Sequence, residues 1–123
     1  GCDNAMLILD TWHWVRADQP YDILTPEIAK KVISIQINDA YERPYAAPIL
    51  RDESMHDRLA PGTGAKDTAG FVKMIKDAGI DPKVVGVEVI SDEILGRGID
   101  AAATYTYENT EKVLKEVWPE LVD

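Results

Sequence analysis

The chain of 123 residues has a single cysteine, Cys2, so no internal disulfide can form and no paired-cysteine zinc motif exists. Cys2 reads as a small residue near a free end, and this usage fits a reducing compartment. Basic side chains are scarce. Lys and Arg number 13 against 22 Asp and Glu, a formal net charge of -9 that repels phosphate backbones, so sequence-independent binding to nucleic acid is not expected. No apolar run approaches the roughly 20 residues a membrane helix needs, and no segment has the charged and apolar regions of a signal peptide. No membrane partner is expected, and the chain reads as soluble and cytoplasmic. An initiator Met is lacking too, and an apolar run begins within five residues, so the chain reads as cut from something longer.

What is present suffices for one modest core, since 46% of residues are hydrophobic and the length is that of a single domain. Three short apolar runs stand out, and strands are expected near residues 5–10, 32–38 and 84–90. Their near-continuous apolarity suits parallel strands covered on both faces. Thr25-Pro26-Glu27 offers a cap, a proline at the first helical position and an acid near the positive end of the helix dipole, which predicts a helix near 26–31. Asp67 can cap a helix over 67–79, with Phe71, Val72, Ile75 and Ala78 at helical spacing, Gly79 as terminator and Pro82 beyond. A third helix, near 100–117, keeps an apolar face through Ala103, Tyr107, Val113, Leu114 and Val117 and ends at Trp118-Pro119. Between Ala40 and Lys66 the prolines and glycines predict one long connection, of the kind that often carries function. The order gives an α/β fold of parallel βα units, with open sheet edges that something should cover.

Ligands of parallel α/β folds sit beyond the carboxyl ends of the strands, and the polar residues here follow that rule. Asp10 ends the first run, Gln36 and Asp39 flank the end of the second, and Glu88 lies within the third. Two carboxylates and an amide oxygen from three strands can converge on one hard cation, Mg²⁺ or Mn²⁺ by preference, with Co²⁺ or Zn²⁺ as borderline alternatives. Each residue also has a plainer use. Asp10 can cap a helix, Glu88 can pair with an arginine, and Gln36 can be a structural hydrogen-bonder. His13, between Trp12 and Trp14, can act as a general acid or hold a substrate hydroxyl, or can simply be packed. Arg58 and Arg43 can each clamp a substrate oxygen or stay solvated. His56 reads as solvated. "PGTG", residues 61 to 64, lacks the Lys-Ser/Thr ending of a nucleotide-binding loop and reads as a turn.

Taken together, "LDTWH", "ISIQINDA", "DRLAPGTGAKDTAGFVKMIKDAG" and "VGVEVIS" resemble the last three strands of the sugar phosphate isomerase/epimerase family, the xylose isomerase-like TIM barrels. The resemblance runs through nearly the whole chain in order. It implies a C-terminal part, about three βα units, of a (β/α)8 barrel, an architecture that takes about 250 residues when whole. The family's divalent metal is held by Glu, Asp, His or Gln, and Glu at four strand ends. The resemblance places Asp10, Gln36 and Glu88 on the last three, with the first Glu absent from this chain. It also makes His13 the substrate-contacting histidine of the Asp-x-x-His pair and Arg58 an arginine near the mouth. Two departures stand out. Gln36 occupies a position where many epimerases have His, which is similar to the dehydratase-like branch that includes 3-dehydroshikimate dehydratases. Thr63 replaces the usual Glu between two glycines.

The resemblance implies a metal-dependent sugar (phosphate) isomerase, epimerase or related dehydratase, acting on a sugar or keto-acid through a metal-stabilised enediolate. Glu88 would be both ligand and proton carrier, and His13 would orient or protonate an oxygen. With three of four ligands, the isolated chain is expected to have little activity. The expected partners are further copies of the chain or the rest of the barrel. A rival reading is a non-catalytic associating fragment with a remnant metal site. An endonuclease IV-like nuclease would need a cluster of zinc-binding histidines, whereas this chain has only His13 and His56.

Overall fold

The computed structural model describes residues 2–42 and 50–122. Among these, three strands form one parallel sheet in the order β1 (Leu7–Asp10), β2 (Val32–Ile37), β3 (Val84–Val87). Successive side chains of a strand point to opposite faces, so the apolar runs divide between two surfaces. On one of them Ile35 and Ile37 are fully buried, as are Phe71, Val72 and Ile75 of helix α4 (Thr68–Asp77), and Val113 and Leu114 of helix α6 (Ile99–Val117) join the same core. Each such side chain contributes about 1.5–3 kcal/mol through burial. The other face behaves differently. Ile8 and Val84 share a register row with Ser34 on that side, and they are 58% and 60% exposed. Continuous apolarity suggested two covered faces, but among the described residues only one is packed.

Helix α4 forms where capping and periodicity place it, whereas α6 has no side-chain cap and buries Ala102, Thr110, Val113 and Leu114, leaving Ala103 and Tyr107 of the expected apolar face exposed. Asp67 accepts the Gly70 N–H at 2.7 Å and starts α4, and Gly79 follows its end at φ +70°, a conformation that favours glycine. Thr25 caps helix α2 (Pro26–Ala29), which is two residues shorter than the expected 26–31. Pairing of β3 stops at Val87, although the apolar run continues to Ile90. The reason lies in β2: beyond Ile37 its chain leaves the ladder, and Asp39 instead forms an antiparallel bridge with Leu59. Three short helices lie outside the expected set, namely α1 (Thr11–Arg16), α3 (Leu50–His56) and α5 (Asp92–Leu95). Of these, α3 occupies part of the stretch read as one long connection.

Two buried acids organise that stretch. The Asp39 carboxylate is 1% exposed and accepts the N–H groups of Ala40, Gly64 and Lys66 at 2.7, 2.9 and 3.0 Å, which folds the Pro61–Gly64 turn back against β2. Charge-assisted bonds of this kind are about twice as strong as neutral ones. Glu53 of α3 forms a buried ion pair with Arg16 at the end of α1, and the same Arg16 Nη2 donates to the Tyr41 carbonyl at 2.9 Å. The segment carrying Arg58 is thereby fixed from both sides.

Glycine is required unequally in this arrangement. A Cβ on Gly64 would lie 2.5 Å from both the Ala40 carbonyl oxygen and Asp39 Oδ1, whereas one on Gly79 would meet open space and only backbone strain. Gly79→Ala should therefore cost about 1 kcal/mol, and Gly64→Ala more than about 3 kcal/mol because backbone and a buried carboxylate must both give way. Urea unfolding of the two variants checks this, and equal losses would contradict the packing described.

Candidate active site

The register puts Asp10, Gln36 and Gly86 side by side across the three strands. Two residues further on, Asn38 and Glu88 return to the same face, so four polar side chains share one rim at the carboxyl ends of the strands. Asp10 uses both of its oxygens. Oδ1 caps α1 by accepting the His13 N–H at 3.0 Å, while Oδ2 accepts Asn38 Nδ2 at 3.0 Å and Arg58 Nη1 at 3.1 Å. The same Nη1 donates to Glu88 Oε2 at 2.7 Å. Two carboxylates from the first and third strands thus meet at a single nitrogen.

Arg58 is held from behind as well. Its Nε donates to the Ser54 carbonyl and its Nη2 to Ser54 Oγ, both at 2.9 Å, and the guanidinium lies 5.3 Å from the Trp12 ring centroid, within cation–π range. The Asp10 and Arg58 side chains are almost fully buried, whereas the Glu88 side chain is 37% exposed, so the cluster opens to solvent on its Glu88 side. Burying ions is costly unless they are paired, and here two negative groups share one positive one. The plainer uses of Asp10 and Glu88, helix cap and arginine partner, are both realised alongside this convergence.

Gln36 stands next to Asp10 in the row and is half-buried, and its Cγ would lie 3.5 Å from a Cβ on Gly86. No described residue hydrogen-bonds its amide. His13 is exposed in the first turn of α1, its ring edge-on to Trp12 at 5.0 Å, and it takes part in the cluster only through its backbone N–H. Arg43 lies outside the described residues. His56 pairs with Asp92 on the surface at 3.1 Å. The "PGTG" segment is a turn whose Gly64 N–H goes to Asp39 and whose Thr63 N–H goes to the Ala60 carbonyl, so those donors serve the fold itself.

Two residues of the site escaped the sequence reading. Asn38 is fully buried, and its Nδ2 links Asp10 to the Glu88 carbonyl at 3.2 Å. The period of two, counted on from Gln36, would have found it, and the same count turns Asp39 away to the loop. Ser54 has no such signal, because the sequence of α3 shows little helical periodicity. A cavity of about 580 Å³ lies away from the strand ends, between Tyr21 and α4, and is lined by Asp67, Lys73 and Met74. Partial burial, and then the nearby Asp67 carboxylate, raise the Tyr21 hydroxyl above its ordinary pKa there. Chemistry follows convergent polar groups rather than volume, so the strand rim is the candidate site.

The donors on that rim suit a hard or borderline divalent cation, because two carboxylate oxygens lie within reach of one point and an amide without a described partner stands beside them. Among the described residues no group of three His, Cys, Asp or Glu forms a metal cluster, so the glutamine is needed to make a third donor. No described helix is long and apolar enough to cross a membrane.

No family model matches the chain. It is 29% identical over 114 residues to an inosose isomerase of Bacillus licheniformis, and 28% identical over 116 residues to that of Bacillus velezensis. These alignments cover 93% and 94% of this chain but 39% of each relative, so the chain spans about two fifths of the curated relatives it matches. Among solved structures, the IOLI protein with a bound zinc atom superposes with a TM-score of 0.80 at 25% identity, covering 95% of this chain and 40% of that one. A xylose isomerase domain protein from Alicyclobacillus acidocaldarius gives a TM-score of 0.66 at 27% identity, covering 93% and 38%.

Within the site, Asn38 is the most exacting residue to replace. Asn38→Leu keeps similar bulk but withdraws the donor from Asp10 and from the Glu88 carbonyl, and it should destabilise the chain by about 2–4 kcal/mol in urea unfolding. A loss below about 1 kcal/mol would mean that these bonds do not hold the rim together.

Proposed function

We propose, for a chain that belongs to the xylose isomerase-like TIM barrels, that its strand rim is part of the site of a metal-dependent sugar isomerase or epimerase. One observation carries the reading: Asp10 and Glu88, from different strands, converge on a single nitrogen beside Gln36. Asp10, Gln36 and Glu88 would hold the ion, and a bound divalent cation would supply positive charge against the oxygens of a keto-sugar or sugar phosphate. A carbon next to the carbonyl can then lose a proton and leave an enediolate. Glu88, its side chain 37% exposed against 6% for Asp10, is the candidate to take that proton and return it. His13, exposed one helical turn from Asp10, would orient or protonate a substrate oxygen, and Arg58, bonded to both acids, would meet another oxygen close to the ion.

Gln36 favours a second reading within the same chemistry, a dehydratase of a keto-acid, because many epimerases carry His at that position. The bare sheet face with Ile8 and Val84 fits completion by further barrel strands or by a second copy of the chain. The matched relatives are two and a half times as long as the part this chain covers, which accords with a site completed by other residues.

Calorimetric titration with Mn²⁺ tests the metal reading. The chain should bind Mn²⁺ weakly, with Asp10→Ala and Glu88→Ala each weakening binding at least about tenfold, by removal of a charged oxygen donor. Absence of binding would leave the rim a remnant and the chain an associating fragment. Exchange of solvent deuterium into a keto-inositol, followed by NMR, tests the isomerase reading in a protein with the whole barrel.

A further inference from the structure

The most densely bonded group on the rim is a cation that the chain already owns. Arg58 Nη1 lies between Asp10 Oδ2 and Glu88 Oε2, at the point where one divalent ion would meet both carboxylates. We propose that Arg58 is the resident counter-cation of this site: it holds the two acids together, and a divalent ion binds by displacing its guanidinium from them. The inference rests on the metal reading above and adds to it a charge that competes for the same oxygens.

Three observations support exchange rather than a fixed ion pair. First, the guanidinium has a second berth. Nε and Nη2 bond Ser54, and the guanidinium carbon lies over the Trp12 ring, so Arg58 can give up the carboxylates without losing every partner. Second, the cluster is short of positive charge, with two carboxylates to one guanidinium, and it opens to solvent at Glu88, where a hydrated ion can approach. Third, Asp10 is held independently of Arg58, by the His13 N–H and by Asn38, so one carboxylate keeps its place while the cations change over. A double charge between two carboxylates outcompetes a single one by Coulomb's law, but the displaced guanidinium stays nearby and repels the ion, which lowers affinity. Arg58 would also be free to meet a substrate oxygen only after the metal has bound. Metal would therefore precede substrate.

The test compares Mn²⁺ affinity of the unmodified 123-residue chain with that of Arg58→Gln and Arg58→Lys by calorimetry. Removal of the charge in Arg58→Gln should tighten Mn²⁺ binding about tenfold or more, whereas Arg58→Lys, which restores it, should return affinity toward that of the unmodified chain. Equal or weaker binding by a folded Arg58→Gln variant overturns the inference and leaves the metal reading standing. Should Arg58→Gln fail to fold, the unmodified chain decides by ¹⁵N NMR of its arginine side chains during Zn²⁺ titration. The Arg58 Nη1 signal should shift as the ion saturates the site, and bound Zn²⁺ with an unchanged Arg58 signal overturns displacement. If neither ion binds any of these proteins, the inference and the metal reading fall together.

Discussion

The pairing of Asp10 with Gln36, and of Gln36 with Gly86, is the constraint on which the site depends. In a parallel sheet with side chains of period two, this register decides which polar groups share a face and which are turned into the core. Moving β2 by one residue would place Ile35 and Ile37 on the open rim and drive Gln36 and Asn38 against Phe71 and Ile75. Core and site therefore enforce each other. The burial that fixes the register on one side of the sheet also brings two acids to one nitrogen on the other.

Much of this was legible in the residues themselves. Strand-length apolar runs, the Asp67 cap and the helical spacing of Phe71, Val72 and Ile75 follow from local rules, and the placement of polar residues at strand ends follows from the logic of parallel sheets. What escaped was set by tertiary contact. Helix α1 is too short to display a period, and it forms because Asp10 caps it and Arg16 is anchored to Glu53. Helix α3 is flanked by prolines and has little amphipathic pattern, yet its Glu53 is fully buried against Arg16. Asn38 was hidden by its neighbour: Asp39 drew notice as an acid at a strand end, but alternation sends it to the loop. Of the roles assigned to individual residues, those of Gln36 and His13 rest most heavily on resemblance, because neither side chain is tied to the cluster by a hydrogen bond.

The same structure places opposite demands on its two sheet faces. The helix side is packed with aliphatic and aromatic side chains, while the rim side carries Asp10, Gln36, Asn38 and Glu88 above Ile8 and Val84. Such a face, polar at one end and apolar at the other, is ordinary inside a closed barrel, where the polar end opens to substrate and the apolar end is filled. In this chain Arg58 neutralises part of the polar end, which accounts for the stability of two adjacent acids beneath a partly open surface.

The Arg16 guanidinium has a consequence for variation. The Tyr41 carbonyl and the Glu53 carboxylate both accept from its Nη2, so two residues well apart in sequence are tied to one atom. A segment tethered at its base tolerates insertions at a cost that rises only slowly with length. The number of residues between Tyr41 and Glu53 can therefore vary at little cost while the strand ends stay in place.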